Sequence, residues 1–107
     1  MTNLERYLSA SIKSSKSITK EFSTSFSLGI RCLGKEIRDP VYSIYGFVRV
    51  ADEIVDTFFE TNQEALLKDF ESSTFSAIRE KFSTNVILHS FQSTVNKYNI
   101  DSHLIEA

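Results

Sequence analysis

The sequence predicts an all-α protein, and three observations carry that reading. Its 107 residues hold only three Gly and one Pro, too few to supply the turns of a β-rich chain. Apolar residues recur mostly at spacings of three and four, the period of an amphipathic helix. The periodic stretches are introduced by Asn or Asp, which cap helix N-termini by accepting from the first free backbone N–H groups.

Taken in order, a first helix is expected over roughly residues 3 to 18, with Leu4, Tyr7, Leu8, Ile12 and Ile18 as its apolar stripe. A second is expected over roughly 19 to 32, where Phe22, Phe26, Ile30 and Leu33 recur and Gly34 marks the break. Whether the two run together or kink near Ser15–Ser17 is open at this level. Asp39-Pro40 reads as an N-cap followed by proline at the first helical position, where a missing N–H costs nothing. From there to about Phe59 runs the strongest helix, with Val41, Ile44, Val48, Ala51 and Val55 as its packed face. Asn62 caps the next, whose apolar set is Leu66, Leu67, Phe70, Phe75, Ile78 and Phe82. Another covers roughly Val86 to Tyr98, Asn99 breaks it, and Asp101 caps a segment only one turn long. So short a helix is not stable alone, so residues 1–107 are expected to form a single partial domain, the N-terminal portion of a larger one.

Composition narrows the function classes. The formal charge of −2, from 12 basic and 14 acidic residues, lacks the footprint of a nucleic-acid binder. No apolar run is long enough to span a bilayer. The lone Cys32 can form neither an internal disulfide nor a thiolate metal cluster, and reads as a small buried residue in a reducing compartment. Arg6, Lys13, Lys16 and Lys20 among many Ser have a flavour of a transit peptide, but Glu5 and the missing apolar core favour a solvated helix. His89 and His103 have no ligand partner at useful spacing and are expected at surface or interface positions. Phe47, Phe58, Phe59, Phe70 and Phe75 are expected in the core.

One helix is chemically loaded. Asp52 and Asp56 stand four apart, so their carboxylates share a face, with Cβ atoms about 5–6 Å apart. Tyr45 and Arg49 extend the same polar line, and Glu53 adds a third negative charge beside it. Like charges at this spacing disfavour a helix, and an acid near the C-terminal end opposes the helix dipole. A hard cation would reverse those costs, because Mg²⁺ takes one or two protein carboxylates and fills its shell with water and phosphate oxygens. On spacing alone the pair reads first as a solvated acidic face partly neutralised by Arg49. Its apolar flanks, Ile54, Val55, Phe58 and Phe59, favour a site.

The run Ser23-Thr24-Ser25-Phe26, then Lys35-Glu36-Ile37-Arg38, then Val41-Tyr42-Ser43-Ile44-Tyr45-Gly46-Phe47-Val48-Arg49-Val50-Ala51-Asp52-Glu53-Ile54-Val55-Asp56 resembles the opening of squalene and phytoene synthases. The resemblance covers about residues 8 to 107 and is sharpest between 23 and 56. It implies antiparallel helices forming the N-terminal part of an isoprenoid-synthase fold, and head-to-head condensation of two prenyl diphosphates, farnesyl or geranylgeranyl, in the intact protein. By the same resemblance Asp52 and Asp56 hold Mg²⁺ (Mn²⁺ being an alternative) and Arg49 and Tyr45 contact the diphosphate or stabilise developing charge. Ser23 and Ser25 match serines that face a diphosphate, and Phe26 matches an aromatic of the prenyl cavity. Whether NADPH-dependent reduction follows is left open.

The chain departs from the family pattern in Glu53, where many members have Asp, and in Phe22, where many have His. It contains a single Asp-x-x-x-Asp, whereas the family carries a second aspartate-rich motif on a later helix, so the 107 residues alone are expected to be inactive. The resemblance fits a cytoplasmic enzyme, with peripheral membrane contact suited to hydrocarbon products. Two alternatives stand beside it: a non-catalytic helical assembly module, and a partial fold that self-associates through its exposed apolar face.

Overall fold

A computed structural model describes residues 1–56 and 62–106, the side chain of Glu106 excepted. The expected Phe58 and Phe59 fall outside the described residues. The described chain folds into six helices with no strand: α1 (Asn3–Phe22), α2 (Thr24–Ile30), α3 (Lys35–Asp56), α4 (Gln63–Glu80), α5 (Val86–Tyr98) and α6 (Ser102–Glu106).

Their ends follow from local chemistry. Thr2 and Glu5 form a reciprocal capping box: the Thr2 hydroxyl accepts from the Glu5 N–H, and the Glu5 carboxylate accepts from the Thr2 N–H. The Thr2 N–H donating to the carboxylate, with the Thr2 hydroxyl as the smaller cause, holds the Glu5 carboxyl below its ordinary range. Asn62 and Asn85 cap α4 and α5 as N-terminal acceptors. Lys81 and Asn99 end α4 and α5 in the left-handed region, at φ 58° and 52°. The Asp101 carboxylate accepts from the His103 N–H at 2.9 Å and opens α6.

Two boundaries differ from expectation. The first break falls at Ser23, later than the expected boundary between residues 18 and 19, and α1 runs through Ser15–Ser17 unbroken; Ser23 is extended at φ −154° and both closes α1 and caps α2. The strongest helix starts at Lys35, so Asp39-Pro40 lies inside it. Pro40 forfeits only its bond to the Glu36 carbonyl, and early in the helix its fixed φ is compatible. Asp39 does not cap; it pairs with Lys16 of α1 at 3.2 Å.

The core is centred on α5, which packs against α1, α3 and α4. Ile87, Leu88, Phe91 and Val95 are buried on it, and the Phe91 ring stacks on Phe47 of α3 at 3.8 Å between centroids. Phe47 also stacks on Phe70 of α4. Between α1 and α3 the packing is small and polar. Ser11, Ser15 and Thr19 repeat every four residues and are fully buried, and Gly46 of α3 meets Ser15. A Cβ on Gly46 would lie 3.1 Å from Ser15 Cβ and 3.2 Å from its Cα, so glycine sets this close approach. The Ser11 and Thr19 hydroxyls donate to backbone carbonyls four residues back, while Ser15 Oγ is buried with no partner among the described residues. Ser43 of α3 and Ser90 of α5 hydrogen-bond in the buried interior.

Three expectations about burial are corrected. His89 is not at a surface; it is 3% exposed between Tyr7 and Phe82. Its Nδ1 accepts from the Ser83 N–H, and Tyr7 Oη donates to the Ser83 carbonyl at 2.7 Å, so the ring belongs to a latch joining α1 to the turn before α5. On α3, the expected packed face is largely open: Ile44, Val48 and Val55 are 38%, 45% and 54% exposed. The helix turns Tyr42, Ser43, Gly46 and Ile54 inward instead. Cys32 is exposed rather than buried.

Candidate functional site

The candidate site lies on the second half of α3, beside the α1–α2 break. Helical spacing brings Tyr45, Arg49, Asp52 and Asp56 onto one face, as the sequence requires. Asp52 and Asp56 are both exposed. Neither carboxylate forms an ion pair among the described residues, so both are free to accept a cation. Gln63 at the start of α4 donates to the Ile54 and Val55 carbonyls at 3.1 and 2.8 Å, which ties the entry of α4 to the last turn carrying Asp56.

Arg49 pairs with the third acid of the face. Its guanidinium meets Glu53 at 3.0 Å, one turn on, and not Asp52. Both partners are half-buried, and Arg49 Nε is buried without a hydrogen-bond partner among the described residues. An unmet donor at that depth carries a desolvation cost that an acceptor would relieve. The Phe22 ring centroid lies 5.3 Å from Arg49 Cζ, within cation–π range. The two departures from the family pattern thus both touch Arg49: Glu53 holds one edge of the guanidinium, and Phe22 lies against its face. Glu53 is the residue that sequence reasoning undervalued, although its i,i+4 relation to Arg49 was visible.

The residues carried by the Ser23–Phe26 segment divide. Phe26 stacks on Tyr45 at 4.7 Å, joining α2 to the candidate face of α3. The Ser23 hydroxyl accepts from the Phe26 N–H at 3.1 Å and so serves the cap of α2. Its O–H hydrogen remains available to donate. Ser25 is exposed.

For a divalent cation the fit is that of half a site. Among the described residues no group of three or more His, Cys, Asp or Glu side chains could enclose a metal ion. Two exposed aspartates on successive turns match the share that protein supplies to Mg²⁺ when phosphate and water complete the shell.

The family model for squalene/phytoene synthase matches residues 19–107, a span that includes every residue of this face. The chain belongs to the squalene/phytoene synthase family. Squalene/phytoene synthases have a helical isoprenoid-synthase fold, with which the six helices agree, and membership points to prenyltransferase-type chemistry on prenyl diphosphates in general. The curated proteins and the solved structures provide no significant match. No helix among the described residues is long and apolar enough to cross a membrane.

Proposed function

We propose that this chain forms the first wall of a magnesium-dependent site for head-to-head condensation of two prenyl diphosphates, farnesyl or geranylgeranyl. The observation that supports it best is the pairing of Arg49 with Glu53. Among the described residues Glu53 neutralises the half-buried Arg49, which leaves Asp52 and Asp56 without an ion pair and one turn apart.

In this reading Asp52 and Asp56 hold Mg²⁺, which supplies Lewis-acid stabilisation of the diphosphate leaving group. Arg49 retains donors beyond the Glu53 contact and offers charge-assisted hydrogen bonds to phosphate oxygens. Phe26 and Tyr45 form an aromatic wall beside it, whose ring faces suit an allylic carbocation. Tyr45, through its phenol, also borders the phosphate end. One Asp-x-x-x-Asp cannot supply acids from both sides of a substrate, so the 107-residue chain binds without turning over.

The test is calorimetric titration of the chain with farnesyl thiodiphosphate, with and without Mg²⁺, on wild type, Asp52→Asn and Asp56→Asn. Metal-dependent binding lost in either variant is expected. Binding that ignores both substitutions and the metal would reduce the aspartates to a solvated face and favour the non-catalytic module. Condensation product from the wild-type chain alone would refute the inactivity of the 107 residues.

A further inference from the structure

A second charged feature lies at the other end of α3, and the chemistry of Asp52 and Asp56 does not use it. A cleft of about 840 Å³ opens between α1, α2 and the first turns of α3. Lys16 and Lys20 from α1, Arg31 from the end of α2, and Lys35 and Arg38 from α3 line it, with Asp39 as the one acid. Together these six carry a net +4 in a chain whose total is −2, which leaves −6 on the remainder. Lys13, the other lysine of that α1 stretch, does not line it.

A solvated basic face of a single helix would distribute its charges outward. Here five cations from three separate helices converge on one concavity. Asp39 is already engaged with Lys16 at 3.2 Å, and Lys20, Arg31, Lys35 and Arg38 have no ion pair among the described residues. Arg38 is oriented: its Nε donates to the Leu33 carbonyl at 2.9 Å, which fixes the guanidinium plane and leaves its terminal nitrogens for a ligand. Lys16 is likewise held, with Nζ 5.6 Å from the Tyr42 ring centroid. Thr24 and the buried Ser27 add hydroxyl donors to the lining.

We propose that this cleft is an anion site for a phosphate group of two or more negative charges, diphosphate in size. Two arginine forks with lysine point charges are the donor set that phosphate oxygens favour. The site is separate from the aspartates: Arg38 and Asp52 are 14 residues apart on one helix, about 21 Å along its axis. It needs no metal, which also makes it independent of the function proposed above. The phosphate could come from free diphosphate or from the headgroup of an anionic lipid, and the two sources are experimentally separable.

The experiment is carried out on the 107-residue chain in EDTA, so that the aspartate site is silent. One arm titrates sodium diphosphate by calorimetry and follows amide shifts; the other measures co-sedimentation with phosphatidylcholine vesicles, with and without phosphatidylglycerol. Lys20→Gln/Arg31→Gln is the test variant, because both side chains are exposed and make no hydrogen bond or ion pair among the described residues; circular dichroism verifies its helices. Lys13→Gln, an exposed lysine of the same α1 stretch that does not line the cleft, is the control. One-to-one diphosphate binding is expected, with shifts centred on residues 24–31 and 35–42, weakened about tenfold in the double variant and unchanged in the control. Binding confined to phosphatidylglycerol vesicles and lost in the double variant would sustain the site and assign it to a lipid headgroup. A folded chain that binds in neither arm, or a double variant that binds as well as wild type, would overturn the proposal.

Discussion

Along α3, Ser43 and Gly46 are pressed against α5 and α1, while Asp52 and Asp56 stand in solvent a few turns on. The inward face offers a serine hydroxyl at Ser43, a bare hydrogen at Gly46, an aliphatic chain at Ile54 and aromatic rings at Tyr42 and Phe47. Its contribution is proximity, since small residues let α1 approach until backbone contacts side chain. On the outward face Arg49 pairs with Glu53 and Tyr45 stacks on Phe26, while Asp52 and Asp56 repel each other in solvent. The comparison separates two kinds of requirement on one helix: inward positions are fixed by volume, outward positions by charge. Placing charged groups reliably on the outward side depends on how tightly the inward side is held.

Substitutions can break or sharpen that division. The largest effect is expected from Leu88→Ala on α5, the largest side chain below 2% exposure. The cavity it leaves should cost about 2–5 kcal/mol in urea unfolding. Gly46→Val should cost about 1–3 kcal/mol, because the new side chain meets Ser15 backbone and cannot be relieved by rotamer change. Equal stability of Gly46→Val and wild type would mean that α1 yields easily and the inward face is not volume-limited.

The His89 latch gives an effect smaller still and dependent on pH. Burial holds its imidazole below the ordinary value of 6.5, so the folded state binds its proton less readily than the unfolded chain. Stability should therefore be constant above about pH 6.5 and fall as pH drops through that value towards the folded pKa. Urea midpoints between pH 7.5 and about 5.5 report this, and the slope should disappear in His89→Asn but persist in a His103 variant. The smallest effect is expected on the outward face: without metal, Asp52→Asn relieves repulsion from Asp56 and should raise stability by about 0.2–0.5 kcal/mol. A loss of stability there would show that Asp52 has a structural partner.

Much of this could be read from residue order. Asn62, Asn99 and Asp101 marked helix ends correctly because capping and left-handed termination are local chemistry. The polar line from Tyr45 to Asp56 followed from helix geometry alone. What could not be read depended on neighbours. Asp39 looked like a cap because nothing in its own segment shows Lys16 waiting on α1. The Ile44, Val48 and Val55 stripe has helical period, but a period identifies a face without saying what covers it. The seam of α1 serines and Gly46 is not legible in the sequence, because hydropathy does not register close helix approach. The burial of His89 is not legible either, because its partners, Tyr7 and Ser83, come from distant and adjacent segments that meet only in the fold. At the site, the acids were legible from spacing, while the choice of Glu53 over Asp52 by Arg49 required side-chain geometry.

The bond from Tyr7 to the Ser83 carbonyl spans 76 residues, which has a bearing on biosynthesis. Helix α1 is made before α5, so its resting place there does not exist until some 76 further residues have been added. At about 5–20 residues per second, α1 waits about 4–15 s with its seam unfilled. During that interval its buried stripe of Ser11, Ser15 and Thr19 offers little for another chain to adhere to, where leucines would have offered a great deal. A seam built from hydroxyls and one glycine therefore also gives the emerging helix a low-adhesion surface until its partners arrive.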